Sequence, residues 1–256
     1  MLQIVSIYLI QLTNVKMQIE RKVIEAINLA AVAHQNQRRK NAAATPYINH
    51  PIEVMYILSQ AGITDSSILI AAVLHDVIEP AKLFSQFLDP PDFLWKSGLG
   101  VYPVEPDISQ PLQELSAPSK VEDCGVTYDY ICQQFGKRAG DFVMECSDDK
   151  SLPKVERKKQ QIEHAKTISN GAKMIKLADK LSNLSALHND PPLTWSPDVI
   201  NGYFIWSYAV CEHLKGVCPI LDDEINKIFF DRNLMDIPPE TLNIILENYY
   251  ALIVND

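Results

Sequence analysis

His75 and Asp76 stand side by side in "AAVLHDVIEP", residues 71–80, at the end of an apolar run. His50 sits in "TPYINHP" and Asp179 in "MIKLADKLSNL". Two imidazoles and two carboxylates make a mixed nitrogen and oxygen donor set, suited to Mn²⁺, Fe²⁺ or Zn²⁺ and unlike a thiolate site. A metal held this way acidifies a bound water and polarises a phosphoryl oxygen. A single His-Asp pair is weak evidence, and a capping or solvated pair is the plainer reading. The signal sharpens because matching ligand types sit on three separate segments. Asn183 follows Asp179 by four residues, so both side chains project to one side of a helix. It could hold a substrate phosphate or ribose, although spacing alone favours an ordinary polar pair on a helix surface.

These residues need a scaffold, and the sequence describes one. The chain has 256 residues, 47% of them apolar, enough to bury a substantial core. Apolar residues recur at three- and four-residue spacings and strand-like alternation is scarce, which predicts an all-α protein. Helices are expected near 17–36, 50–61 and 65–79, the last capped by Thr64 or Asp65. Others are expected near 127–135, 138–147, 153–168, 171–188, 196–215, 219–232 and 238–253. His50 then opens one helix and the His-Asp pair lies late in the next. Asp179 sits on an amphipathic helix whose apolar face carries Met174, Leu177, Leu181 and Leu184.

The net charge of −9 argues against a general nucleic-acid binder. Five cysteines without a C-x-x-C support neither a disulfide framework nor a zinc knuckle, and a cytoplasmic setting is expected. The apolar opening, "MLQIVSIYLIQLTNVK", is too short to span a bilayer and lacks a basic leader. It is read as an N-terminal extension, residues 1–16, ahead of a single domain over 17–256. No membrane or nucleic-acid partner is expected, and the basic run "KVERKK", 154–159, reads as a solvent-facing surface. Residues 80–122 hold seven of the sixteen prolines, a density that interrupts helices and sheet ladders alike. So long a loop inside a compact domain is unusual, and the segment is read as an insertion.

Four stretches together, "QRRKNAAATPYINHPIEVMYIL", "AGITDSSILIAAVLHDVIE", "FG…DDKSLPKVERK" and "GAKMIKLADKLSNL", resemble the hydrolase domain of RelA/SpoT homologs within the HD superfamily. The likeness is strongest to the small stand-alone animal branch and covers most of residues 20–79 and 123–230. The resemblance implies an HD-type helical bundle with one Mn²⁺, or Zn²⁺ or Fe²⁺ in its place. It implies removal of the 3′-pyrophosphate of guanosine tetra- or pentaphosphate, a small-molecule nucleotide. By motif position His50, His75, Asp76 and Asp179 would be the metal ligands. Arg39, Lys40, Tyr47, Asn183 and Lys150 would contact the nucleotide, a guanidinium suiting a purine face and an ammonium a phosphate. Tyr203 matches a recurring family aromatic or is simply core. His34, His164, His188 and His213 have no matched role.

The family motif runs His-Asp-x-x-Glu-Asp, its acidic pair placed to orient or deprotonate water. This chain has Glu79 and then Pro80, while "KVEDCGVTYDY" offers a second Glu-Asp at 122–123. The expected catalytic pair is therefore Glu79 with Asp123, or alternatively Glu122 with Asp123. Two outcomes are open. Loop closure costs grow slowly with length, so Asp123 can return beside Glu79 and complete the site. Alternatively, Pro80 biases Glu79 away from helical geometry, giving an impaired isoform that only binds nucleotide or a partner. A metal-dependent phosphatase acting on the 2′-phosphate of NADPH is the alternative within the enzyme class.

Overall fold

The computed structural model describes residues 2–78 and 126–254, with side chains from residue 16 onward. Its described residues form ten helices and no strand, which bears out the all-α expectation. The first three are α1 (Leu2–Ala33), α2 (Asn49–Gln60) and α3 (Ser66–Leu74). The next four are α4 (Tyr128–Phe135), α5 (Lys137–Cys146), α6 (Lys154–Thr167) and α7 (Asn170–Asn189). The last three are α8 (Pro197–Cys211), α9 (Pro219–Asp231) and α10 (Pro239–Ile253).

Local chemistry explains most boundaries. The side chains of Asp65, Thr127, Ser169 and Ser196 each accept a backbone N–H in the first turn of α3, α4, α7 and α8. These caps satisfy donors that a helix start otherwise leaves open. Two expectations are corrected. The first helix starts earlier than position 17, because the backbone is helical without a break from Leu2 to Ala33 and turns at 34–36. The third helix stops at Leu74 rather than 79. There the His75 ring donates through Nδ1 to the Ala72 carbonyl at 2.7 Å, and Val77 N–H bonds the Leu74 carbonyl at 3.1 Å, which closes the last turn.

The core is organised around α3 and α7. Every residue of α3 from Ile70 to Leu74 is buried, as expected of a helix that is apolar all round. It packs against α1, α2, α5 and α7, and α7 in turn meets α2, α5, α8 and α9. Two local features then shape the entrance to the site. Residues 37–47 fold back on themselves through an Arg38–Pro46 bridge, and Asn41 Nδ2 donates to Asp190 Oδ2 at 2.8 Å, tying this loop to the end of α7. Ile78 and Val126 form a parallel bridge, so the chain resumes its described course beside the point where it left.

α8 carries Tyr203 and Trp206, and its position depends on a close approach to α10. A Cβ at Gly202 would stand 2.2 Å from Tyr249 Cδ2, so only hydrogen fits beneath that ring. Gly202→Ala is expected to cost about 1–3 kcal/mol of stability through overpacking. A lower urea midpoint with unchanged slope is the expected result; an unchanged midpoint would contradict the close contact.

Candidate metal centre and its cavity

Three helices deliver the candidate ligands to one place. His50 lies in the first turn of α2, His75 and Asp76 follow α3, and Asp179 is midway along α7. His50, His75 and Asp76 each offer a ligand atom, and these atoms lie within 4.8 Å of one another. Asp179 Oδ1 lies 3.1 Å from His50 Nε2 and 3.8 Å from His75 Nε2. Both imidazoles are buried.

The hydrogen bonds on the far side of each ring define what the near side offers. A carbonyl only accepts, so His75 Nδ1 carries a proton toward Ala72 and the neutral ring leaves Nε2 as a bare lone pair. The Ser182 hydroxyl donates to Glu53 Oε2 at 2.8 Å and therefore accepts from His50 Nδ1 at 3.0 Å. His50 Nε2 is then a lone pair as well. Both lone pairs face carboxylate oxygens, an arrangement that repels until a cation or a proton enters it. His75 Nε2 lies 3.2 Å from Asp76 Oδ2, yet it is buried with no hydrogen-bond partner. Outer-sphere partners of this kind orient metal-binding histidines, and the donor set fits a divalent cation.

The electrostatics agree. Burial pushes the His75 imidazole down, but Asp76, Asp179 and the Ala72 carbonyl outweigh it and raise the group to about 9, so at neutral pH a proton sits between Nε2 and the carboxylates until a cation displaces it. Burial raises Asp179, and the Lys180 ammonium with the two imidazoles more than offsets this, holding the carboxyl well below its usual range. Asp76 is likewise held low, by His75 and His50, against the opposing effects of burial and Asp179. Two carboxylates held charged beside a raised imidazole mark a gap that either a proton or a cation fills. Burial and the Asp76 charge keep the Tyr47 phenol protonated, so its hydroxyl donates to Asp76 Oδ2 at 2.5 Å.

Beside the cluster opens a cavity of about 250 Å³. Tyr47, Lys150 and Asn183 of the expected nucleotide contacts line it, and so does Tyr203. Asn183 Nδ2 donates to Asp179 Oδ1 at 2.6 Å and its Oδ1 accepts from Arg39 Nη2 at 3.3 Å, so Arg39 reaches the site through Asn183. Lys40 is exposed on the 37–47 loop and lines no part of the cavity. Glu79, Glu122 and Asp123 lie outside the described residues. Cys146 borders the cavity, but burial pushes its thiol up to about 12, so it is no nucleophile at neutral pH.

Several cavity residues were not anticipated. The basic run at 154–159 is not all solvent-facing, because Arg157 and Lys158 line the cavity with Gln161 one turn on. Their spacing along one helix face was the available signal. His34 is buried with its ring 5.0 Å from that of Tyr47, and Lys180 and Trp206 complete the inner wall. His164 and His188 remain exposed. Cys132, Cys146, Cys211 and Cys218 are free thiols, and among the described residues no helix is long and apolar enough to cross a membrane.

Comparison with known proteins agrees with this architecture. Residues 26–88 match the model of the HD domain. The Xenopus tropicalis protein named guanosine-3′,5′-bis(diphosphate) 3′-pyrophosphohydrolase MESH1 is 37% identical over 213 residues, spanning 83% of this chain and 95% of that protein. Its Homo sapiens counterpart is 36% identical over 214 residues, covering 83% and 96% of the two chains. A solved structure described as a metazoan ortholog of SpoT that hydrolyses ppGpp superposes with a TM-score of 0.63 at 34% identity, covering 84% of this chain and 97% of that one. The chain therefore belongs to the MESH1 family of HD-domain proteins.

Proposed function

We propose that this chain is a metal-dependent hydrolase that removes the 3′-pyrophosphate of guanosine tetra- or pentaphosphate, giving GDP or GTP and pyrophosphate. The observation that carries the reading is the convergence of two imidazole Nε2 atoms and two carboxylates on one cavity, in a chain whose relatives are named for that activity. Mn²⁺ is the proposed cation, with Zn²⁺ or Fe²⁺ as substitutes the same donors accept. The reaction adds water to the ester-bonded phosphorus and breaks its bond to the ribose 3′ oxygen, which takes up the proton that the water loses.

Each residue contributes a positioning or proton-transfer task. His50, His75, Asp76 and Asp179 hold the cation, which supplies Lewis-acid polarisation of the phosphoryl group and acidifies water. Ser182 with Glu53, and the Ala72 carbonyl, fix the two rings from behind, while Tyr47 fixes Asp76. Asn183, braced by Arg39, turns its amide toward Asp179 at the cavity wall, where it orients the nucleotide. Lys150 and the exposed Lys40 serve its phosphates. Glu79 with Asp123, or Glu122 with Asp123, takes the proton from water and returns it to the leaving oxygen. Residues 17–256 constitute one hydrolase domain into which 80–122 are inserted, with 1–16 as an extension. The bridge between Ile78 and Val126 supports the insertion, and free thiols support a reducing, cytoplasmic setting.

Three outcomes are expected. Purified full-length protein with Mn²⁺ releases pyrophosphate from ppGpp; release of orthophosphate alone, from NADPH but not from ppGpp, would favour the phosphomonoesterase reading instead. Asp179→Ala abolishes turnover and weakens Mn²⁺ retention by at least about 100-fold, since even outer-sphere changes cost that much. A variant with native metal content and rate would refute the site. Deleting residues 80–122 joins Glu79 to Asp123 and leaves kcat at or above its starting value. Loss of activity with metal still bound would show that the shortened motif is not the working one.

A further inference from the structure

The loop over 37–47 carries three cations in a row, Arg38, Arg39 and Lys40, and like charges at that spacing repel. It is nonetheless folded. Arg39 N–H bonds the Thr45 carbonyl at 2.9 Å, Ala44 N–H bonds the Asn41 carbonyl at 3.0 Å, and Tyr47 N–H bonds the Gln37 carbonyl at 3.1 Å. Ala44 takes a φ of 45°, a left-handed backbone that a residue with a Cβ adopts at a cost. A turn of that kind persists only where its surroundings hold it.

Asn41 supplies the hold, using both ends of its amide. Its Oδ1 accepts from Thr45 N–H at 3.2 Å, which closes the turn from within, and its Nδ2 donates to Asp190 Oδ2 at 2.8 Å. Asp190 is the residue that ends α7, the helix on which Arg39 meets Asn183. Positions 183 and 190 are two turns apart on one face, so the loop is fastened to α7 at two points about 10 Å from each other. Asp179 lies one turn before Asn183 on that face, and a single helix thereby sets the distance between the metal cluster and the loop. Asp190 is engaged by a neutral amide, while Arg38 donates to the Gln35 and Gln37 carbonyls and Arg39 to the Asn183 side chain. The positive charge of 38–40 is left for an anion to meet. Neither Asn41 nor Asp190 lines the cavity.

We propose that Asn41 and Asp190 are a positioning pair that presents Arg39 and Lys40 to the nucleotide. The inference rests on the hydrolase reading above, in which Arg39 braces Asn183 and Lys40 serves the phosphates. It assigns substrate affinity in part to two residues outside the cavity, which touch neither the metal cluster nor the reacting atoms.

Exchange of donor and acceptor tests this. Asn41→Asp removes the donor and sets two carboxylates against each other. Adding Asp190→Asn restores the bond in reverse, because the side chain at 41 keeps one oxygen for Thr45 and offers the other to the amide at 190. In the Mn²⁺-loaded full-length protein Asn41→Asp is expected to raise KM for ppGpp about tenfold, the order expected of a lost hydrogen bond to a charged group. The kcat and the Mn²⁺ content stay native, and the double variant returns KM toward its starting value, which a general packing defect would not do. Trypsin, which cuts after Arg and Lys, is expected to cleave at 38–40 faster in Asn41→Asp and at the native rate in the double variant. Should Asn41→Asp fail to fold, Asp190→Ala breaks the same bond from the helix side and is expected to raise KM alike. Native KM in the single variants, or a double variant as impaired as Asn41→Asp, would overturn the pair while the hydrolase reading stands. Binding of ppGpp to the chelator-stripped chain that weakens in Asn41→Asp and recovers in the double variant, in a protein that does not cleave it, would sustain the pair and overturn the hydrolase reading.

Discussion

Asp179 is the group on which the site depends. One of its oxygens faces both imidazole Nε2 atoms and accepts from Asn183, while the other meets the Lys180 ammonium. A largely buried carboxylate survives in its charged form only when surrounded in this way. The helix that carries it, α7, touches five others, so packing fixes the carboxylate's position before any ligand arrives. The imidazole lone pairs and the carboxylates then oppose each other across a gap that packing alone does not relieve, which is where a divalent cation gains its affinity.

The same helix divides the cavity. Asp179 looks toward the histidines and Lys180, the next residue, toward Trp206, so adjacent positions on α7 serve the anionic and the cationic halves. α6 and α8 finish the cationic half by setting Lys158 against Tyr203 and Trp206. Electrostatic preorganisation of this kind works because the dipoles and charges are held in place before substrate enters.

Much of this was legible in the residues. Cap residues at 65, 127 and 196 and the three- and four-residue apolar periods place most helices to within a few positions, the start of α1 excepted. Ligand types at 50, 75, 76 and 179 point to the candidate metal centre because two imidazoles and two carboxylates on separate segments make a mixed donor set. The end of α3 was not legible, since the side chain of His75 leaves the helical pattern to bond backward, a tertiary choice with no periodic signature. The role of 154–159 was hidden for a related reason. A charge run reads as surface until its helix is known to lie against an aromatic wall, and that depends on residues nearly fifty positions away, such as Trp206.

The bridge between Ile78 and Val126 has a consequence for how such a domain can change over evolutionary time. Two backbone positions meet there although residues 79–125 separate them, and the energetic penalty for such a separation grows only logarithmically. Chain can be gained or lost at this junction without any helix having to find a new neighbour. The junction also adjoins the metal centre, since Ile78 itself lines the cavity. Exchange of sequence at one tolerant seam can therefore retune catalysis while leaving the scaffold's folding problem already solved.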